Sequence, residues 1–389
     1  MKHWLTKTEE VARRGHAVRR AMFIASFWVG VISVLLTLYP PPTPWVEHFY
    51  SRGLYKWIAS VLVAIHELVP FSLTGTVIVA LALLLPACAA WRWKCSRGRG
   101  DRRTAIALEL TKWTVAACAF LYGGFLLAWG ANYHREPIEA RLGLSEWKGN
   151  ESDVARIRAT LLTFIAEVRP ADSERDTGRA VESAARSMRE LTRKWDGSPA
   201  ALPDHVKVVP GALLMRMMVL GVCSPFLVEP HVDGMLPPMP FIRVASHELA
   251  HVAGINGEAE ADFAGWMAGL NSDDAYMRYA TAIHVYLSLI QDLPDEEREA
   301  AYASLPGDAI AEWDLYRERL LRYRVAPLAR VGAPAYNAYL KAQGVRAGIQ
   351  DYNRGASLFL AAWDKGIIDL TIASTAQQPE IDMRATHEY

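Results

Sequence analysis

The chain has 389 residues, of which 51% are hydrophobic and 22% charged, so it holds enough apolar material for a large core and is not a disordered polymer. Its 42 Lys and Arg side chains balance 42 Asp and Glu, and no basic stripe interleaved with aromatics runs along it, so no nucleic-acid partner is expected. Cys88, Cys95, Cys118 and Cys223 form no CxxC and no close pair, which excludes a disulfide framework and a cysteine metal knuckle.

Residues 1–20 carry Lys2, Lys7, Arg13, Arg14, Arg19 and Arg20, and the apolar excess begins immediately afterwards. Ala21 to Tyr39, "AMFIASFWVGVISVLLTLY", contains no charge; at 1.5 Å per residue it crosses most of a ~30 Å hydrocarbon layer. "PPPTPW" follows it instead of a small-residue cleavage site, so it reads as an anchor and not a signal peptide. Phe71 to Ala90 and Trp113 to Ala131 are two more runs of spanning length, and Trp45, Trp57, Trp91, Trp93 and Trp129 lie near the expected ends. The loop between the second and third runs carries Arg92, Lys94, Arg97, Arg99, Arg102 and Arg103. By the positive-inside rule this loop and the N-terminus stay cytoplasmic, which makes the chain an integral inner or plasma membrane protein with everything after Asn132 outside. The lipid bilayer is therefore its first expected partner.

Between Pro40 and Pro70, apolar residues recur at helical spacing beside Glu47, Arg52, Lys56 and Glu67, and this outer segment is expected along the membrane surface or capping the following domain. Its His48 and His66 have no spaced partner and read as packing residues. The expected organisation is a basic segment 1–20, a three-span anchor 21–133 and a water-soluble domain 134–389. In that domain "ESDVARIRATLLTFIAEV" and "RAVESAARSMRELTRKW" predict amphipathic helices, and "LLMRMMVL" predicts an apolar core helix with gap-filling methionines. "GVCSPFLVEPHVDG" predicts a short β element whose edge can hold an extended chain, with His231 in a structural role. After Leu270 the pattern is helical again. Asn271 to Asp274 and "DLPDEEREA" read as helix starts, not as a calcium loop. The predicted fold class is thus mainly α, with three N-terminal transmembrane helices, a mostly helical outer domain and a small β element.

The chemistry concentrates in "SHELAHVAGINGEAEADF", residues 246–263. His247 and His251 are i and i+4, hence on one helical face, and both imidazoles can reach one cation. Glu248 is one step round, where its carboxylate can serve as general base to a zinc-bound water. Gly254 can take the left-handed conformation that ends the helix, folding the chain back. Glu258 can then return as the third ligand of a His₂Glu zinc site, with Asp262 four residues on orienting a histidine. Glu260, about 200° round the helix from Glu258, is the alternative third ligand.

"HELAHVAGINGEAEADF" resembles the zincin metallopeptidases, and its E-x-x-x-D tail is similar to their glutamate-ligand branch, which includes thermolysin-like enzymes and membrane peptidases of the CAAX-processing and heat-shock type. "YSRGLY", "WGANYHREP" and "AYNAYLKAQGVRAGIQDYNRG" extend a resemblance over nearly the whole chain to an uncharacterised bacterial family of membrane-anchored proteins. The resemblance implies a zincin-like domain, Zn²⁺ as cofactor, and a peptide or protein substrate at the outer membrane surface. The spacer before Glu258 is shorter than in thermolysin-like enzymes and nearer to that of metzincins. Amide hydrolysis also needs a donor to the oxyanion, for which Tyr279, His284, Tyr352 and Arg354 are the candidates. The competing expectations are a non-hydrolytic zinc-bound interaction or sensor protein of the envelope and a hydrolase of a non-peptide amide or ester.

Overall fold

The computed structural model describes residues 2–95, 100–343, 345, 348, 351 and 354–370. It is mainly helical. Helix α1 (Lys2–Leu38), α4 (Leu73–Cys95) and α5 (Gly100–Ala128) contain the stretches Ala17–Leu38, Leu73–Trp91 and Ala107–Ala128, each long and apolar enough to cross a membrane. α1 packs along α5, where the Thr37 and Tyr122 hydroxyls meet at 2.6 Å. The third apolar helix closes at Ala128, three residues short of the Ala131 expected from hydropathy. The chain turns there because Trp129 leaves helical geometry at φ −157° and buries its ring, donating from Nε1 to the His251 carbonyl at 3.3 Å.

The segment after α1 runs through α2 (Thr43–Trp45), a wide π-type helix over Val46–Leu54 and α3 (Tyr55–Glu67). These elements cap the domain that follows. Val46, Glu47, Tyr50 and Tyr55 are fully buried, and Tyr55 donates to the Val252 carbonyl at 2.9 Å. Arg135 locks this segment in place, reaching Glu47 at 2.8 and 3.0 Å and Asp196 at 2.9 Å, with Arg141 also on Asp196. All four ionic groups are at least nine-tenths buried or paired at once, which makes removal of any one of them costly. His66 is buried and His48 is exposed, and neither joins a metal-ligating group among the described residues.

Short helix α6 (Ile138–Leu142) leads to α7 (Glu151–Val168) and α8 (Thr177–Asp196), at the positions that amphipathic periodicity predicts. α7 starts with a reciprocal cap: the Asn150 side chain accepts from the Ser152 amide at 2.9 Å, and Asp153 accepts from the Asn150 amide at 2.9 Å. A three-stranded sheet follows, in the order β1 (Lys207–Val209), β3 (Glu229–Asp233), β2 (Gly221–Ser224), with β1 parallel and β2 antiparallel to β3. The core is then completed by α9 (Pro238–Val252), α10 (Glu258–Leu270), α11 (Ala275–Leu289), α12 (Asp295–Ala303), α13 (Gly307–Tyr323), α14 (Ala326–Ala342) and α15 (Arg354–Asp364). α9 and α10 pack on each other and on α8, with the Trp195 and Phe263 rings stacked at 6.2 Å. α11 starts where "NSDD" predicts, Asp274 accepting from the Met277 amide at 2.9 Å.

The methionine-rich run departs from expectation. Instead of a core helix it forms a single tight turn over Met215–Met217, held by Asp233, which accepts from the Leu214 and Met215 amides. Met218 then adopts a left-handed conformation at φ 62°, which stops any helix and turns Leu213, Met217, Met218 and Val219 outward.

Candidate metal centre

α9 enters through Pro237, Pro238 and Pro240, which suit a first helical turn because its amides need no helical partner. It ends one turn after His247, with the Ile255 amide bonded to Ala250 O at 3.1 Å and Gly254 at φ +81°. Gly254 is required twice: a Cβ there would also lie 2.7 Å from the Tyr55 ring. The last carbonyls of the helix are taken up by Tyr55, Trp129 and, at Gly254 O, Arg135 at 3.4 Å. The turn therefore reverses the chain and starts α10 at Glu258, close to the two histidines.

Among the described residues, His247, His251 and Glu258 offer ligand atoms that all lie within 4.8 Å of one another, and all three are buried. Glu258 Oε2 is 3.2 Å from His247 Nε2 and 3.6 Å from His251 Nε2. Ligands about 2.0–2.1 Å from a tetrahedral ion stand roughly 3.3 Å apart, so the donor set fits such an ion. The other ring nitrogens are already engaged, His247 Nδ1 with Asp262 Oδ1 at 2.9 Å and His251 Nδ1 with the Ile255 carbonyl at 2.8 Å. Donation from Nδ1–H leaves each Nε2 lone pair directed at the shared point. The electrostatics favour positive charge there. Burial opposes a charged His247, but Asp262 and then Glu258 outweigh it and raise its pKa to about 10. Burial likewise opposes charge on Glu258, yet His251 and His247 hold its carboxyl well below the usual range.

Glu248 faces the same space. Burial raises its pKa against the pull of His247 and His251, and its Oε2 is a buried oxygen without a hydrogen-bond partner among the described residues. Strand β2 lies directly against it, so closely that a Cβ on Gly221 would sit 2.5 Å from Glu248 Oε1 and 2.6 Å from Val244 Cγ1. A cavity of about 750 Å³ opens in front of these groups, bounded by β2, the end of α5 and α14. In β2, Cys223 pairs with Pro230, which has no amide hydrogen, and Leu220 O accepts from the Asp233 amide. The alternation of an antiparallel ladder then turns the Gly221 and Cys223 amides and carbonyls away from β3, to the open edge.

The structure separates the remaining candidates. Glu260 turns to the opposite side, where it accepts from the Ile138 amide at 3.3 Å and stands 3.6 Å from Arg354, so Glu258 is the carboxylate that joins the histidines. Tyr279 donates to Asp308 at 3.0 Å and His284 accepts from Trp266 Nε1 at 2.8 Å; neither lines the cavity. Arg354 is tied to Glu139 and Asp351, while Tyr352 lies outside the described residues. His231 bonds Ser72 at 2.8 Å in a structural role. What sequence reasoning missed is Tyr336, whose hydroxyl donates to Glu258 Oε1 at 2.5 Å, and Gly221 and Cys223 beside Glu248. Tyr336 lies in the stretch "AYNAYLKAQGVRAGIQDYNRG" that carries the family resemblance, but its helical periodicity does not point to Glu258.

These features define a mainly helical protein with, among the described residues, three helices able to span a membrane and a buried His₂Glu cluster able to hold a metal ion. The chain belongs to the family described as "Protein of unknown function (DUF3810)", whose model matches residues 50–360. No curated protein and no solved structure matches it.

Proposed function

We propose that this protein is a membrane-anchored zinc metallopeptidase, with its N-terminus cytoplasmic and residues after Asn132 outside. The observation that carries the reading is the unpartnered oxygen of Glu248, buried beside a three-donor cluster and facing an open cavity. A purely structural metal site takes a fourth protein ligand and has no use for such a base. His247, His251 and Glu258 would hold the ion; Zn²⁺ bound there supplies Lewis acidity and acidifies a coordinated water. With that ion bound, Glu248 would accept the proton of the attacking water and return it to the departing amine as the C–N bond breaks. Burial has tuned Glu248 for both transfers by raising its proton affinity. The free edge of β2 aligns an extended substrate through the Gly221 and Cys223 main chain. Tyr336 positions Glu258 through its hydroxyl.

The test is metal analysis and peptide-library turnover on the purified full chain. Glu248→Gln is expected to retain one equivalent of zinc and lose turnover by at least ~100-fold, and His247→Ala to lose both. Unchanged metal content in His247→Ala, or full turnover in Glu248→Gln, overturns the reading.

A further inference from the structure

Two segments that line the cavity, 217–226 and α14, carry exposed apolar side chains. In the first Met218, Val222 and Phe226 are 40%, 43% and 45% exposed; in the second, Leu328 and Val331 are 47% and 70% exposed. The segments meet where the Val325 amide bonds the Arg216 carbonyl at 3.1 Å and Gly332 approaches Met217. Large exposed apolar side chains gathered on such segments call for a covering partner.

Each segment is tied to the end of a membrane-spanning helix. Glu229 pairs with Ser224 across the β2–β3 hairpin, and its carboxylate accepts from the Leu73 and Thr74 amides at 3.0 and 2.8 Å. These are the first residues of the second apolar stretch, so Phe226, in the turn just beyond, stands at the level where that helix enters the hydrocarbon. α14 is fixed the same way from the opposite side, with the Tyr339 ring 6.2 Å from Phe125 in the last turn of the third stretch. Arg216, Arg324 and Arg330, all exposed, stand on the same segments and offer cations to phosphate. Apolar side chains bordered by arginines, level with helix ends, match a phospholipid interface.

We propose that the adjoining leaflet of the bilayer covers this rim, the 213–226 segment and the exposed face of α14 dipping into the interface as a docking surface separate from the three spans. The cavity then opens onto the lipid surface and not onto bulk water. If the peptidase reading holds, the site receives chains that run along or emerge from that interface; the docking itself does not depend on that reading.

The full chain in nanodiscs of phosphatidylethanolamine and phosphatidylglycerol tests this. A photoreactive p-benzoylphenylalanine replaces Phe226, Met218 or Val331 one at a time, with the exposed Arg193 on α8 as the off-rim control, and lipid adducts are counted by mass spectrometry after irradiation. Adducts at the three rim positions at least fivefold above Arg193 are expected. A severalfold fall at position 218 when Phe226→Glu is added is also expected. Lipid adducts no higher than at Arg193 overturn the proposal, as do cross-links to a second copy or to another polypeptide in their place. Met218 and Val331 lie on separate elements, so misfolding of one variant leaves the other measurement decisive.

Discussion

Gly221→Ala puts the proposed role of Glu248 under the sharpest strain. Its added methyl would sit 2.5 Å from Glu248 Oε1, 2.6 Å from Val244 Cγ1 and 2.9 Å from Glu248 Cγ, where ordinary carbon contacts need roughly 3.5 Å. Something must give by about 1 Å. β2 is paired with β3 along its whole length and Val244 is a stiff β-branched side chain on the buried helix α9, so the displacement falls mainly on the longer Glu248 side chain. Overpacking of this kind costs about 1–3 kcal/mol of stability. A misplacement of about 1 Å at a reacting group costs roughly 100-fold in rate. The three atoms nearest the new methyl belong to Glu248 and Val244 and not to the histidines or Glu258, so zinc content should remain at the wild-type level while kcat falls by ~10–100-fold. The assay is peptide turnover with metal analysis on the same preparation. Wild-type turnover in a folded, zinc-loaded Gly221→Ala protein would refute the placement of Glu248 as the base.

Asp262→Asn keeps the volume but removes the carboxylate that accepts from His247 Nδ1 at 2.9 Å; zinc affinity is expected to fall 10–100-fold, measured by chelator competition, and an unchanged affinity would show that Asp262 does not orient the ring. Acid should unfold the protein through Glu47. Burial alone would raise its pKa from 4.5, but the Arg135 hydrogen bond and the charges of Arg135 and Arg141 outweigh it and hold it at about 2. A depressed folded-state value means stability that is fully present above about pH 4.5 and lost as pH falls toward 2. Glu47→Gln should cost ~3 kcal/mol at pH 7 by leaving Arg135 under-compensated, and the gap from wild type should narrow as the buffer is taken below pH 4.5 in denaturant melts; a constant gap across that range would refute the assignment.

Much of the site is legible in the chain because it is local. Two histidines four residues apart share a face by helical geometry alone, Gly254 marks the turn, and Glu258 with Asp262 repeats the same spacing on the next helix. The apolar stretches in α1, α4 and α5 follow equally from runs without charge. The choice of Glu258 over Glu260 came from elsewhere: Ile138 and Arg354, distant in the chain, draw Glu260 to the far side of α10. The methionine-rich run misled because its apolar content reads as a core helix, whereas Asp233 and the left-handed Met218 hold it as a turn that buries Leu214 and Met215 and exposes Leu213, Met217, Met218 and Val219.

Short-range spacing thus determined which residues can converge on a cation, since backbone geometry within a turn or two repeats whatever the surroundings. Packing alone decided what faces them. The Gly221 backbone against Glu248, the Tyr336 hydroxyl on Glu258 and the Glu47–Arg135–Asp196 lock join residues 27 to 88 positions apart. Such contacts depend on how helices and a strand edge stack, and that information is spread over the whole core and not written beside the residues that meet.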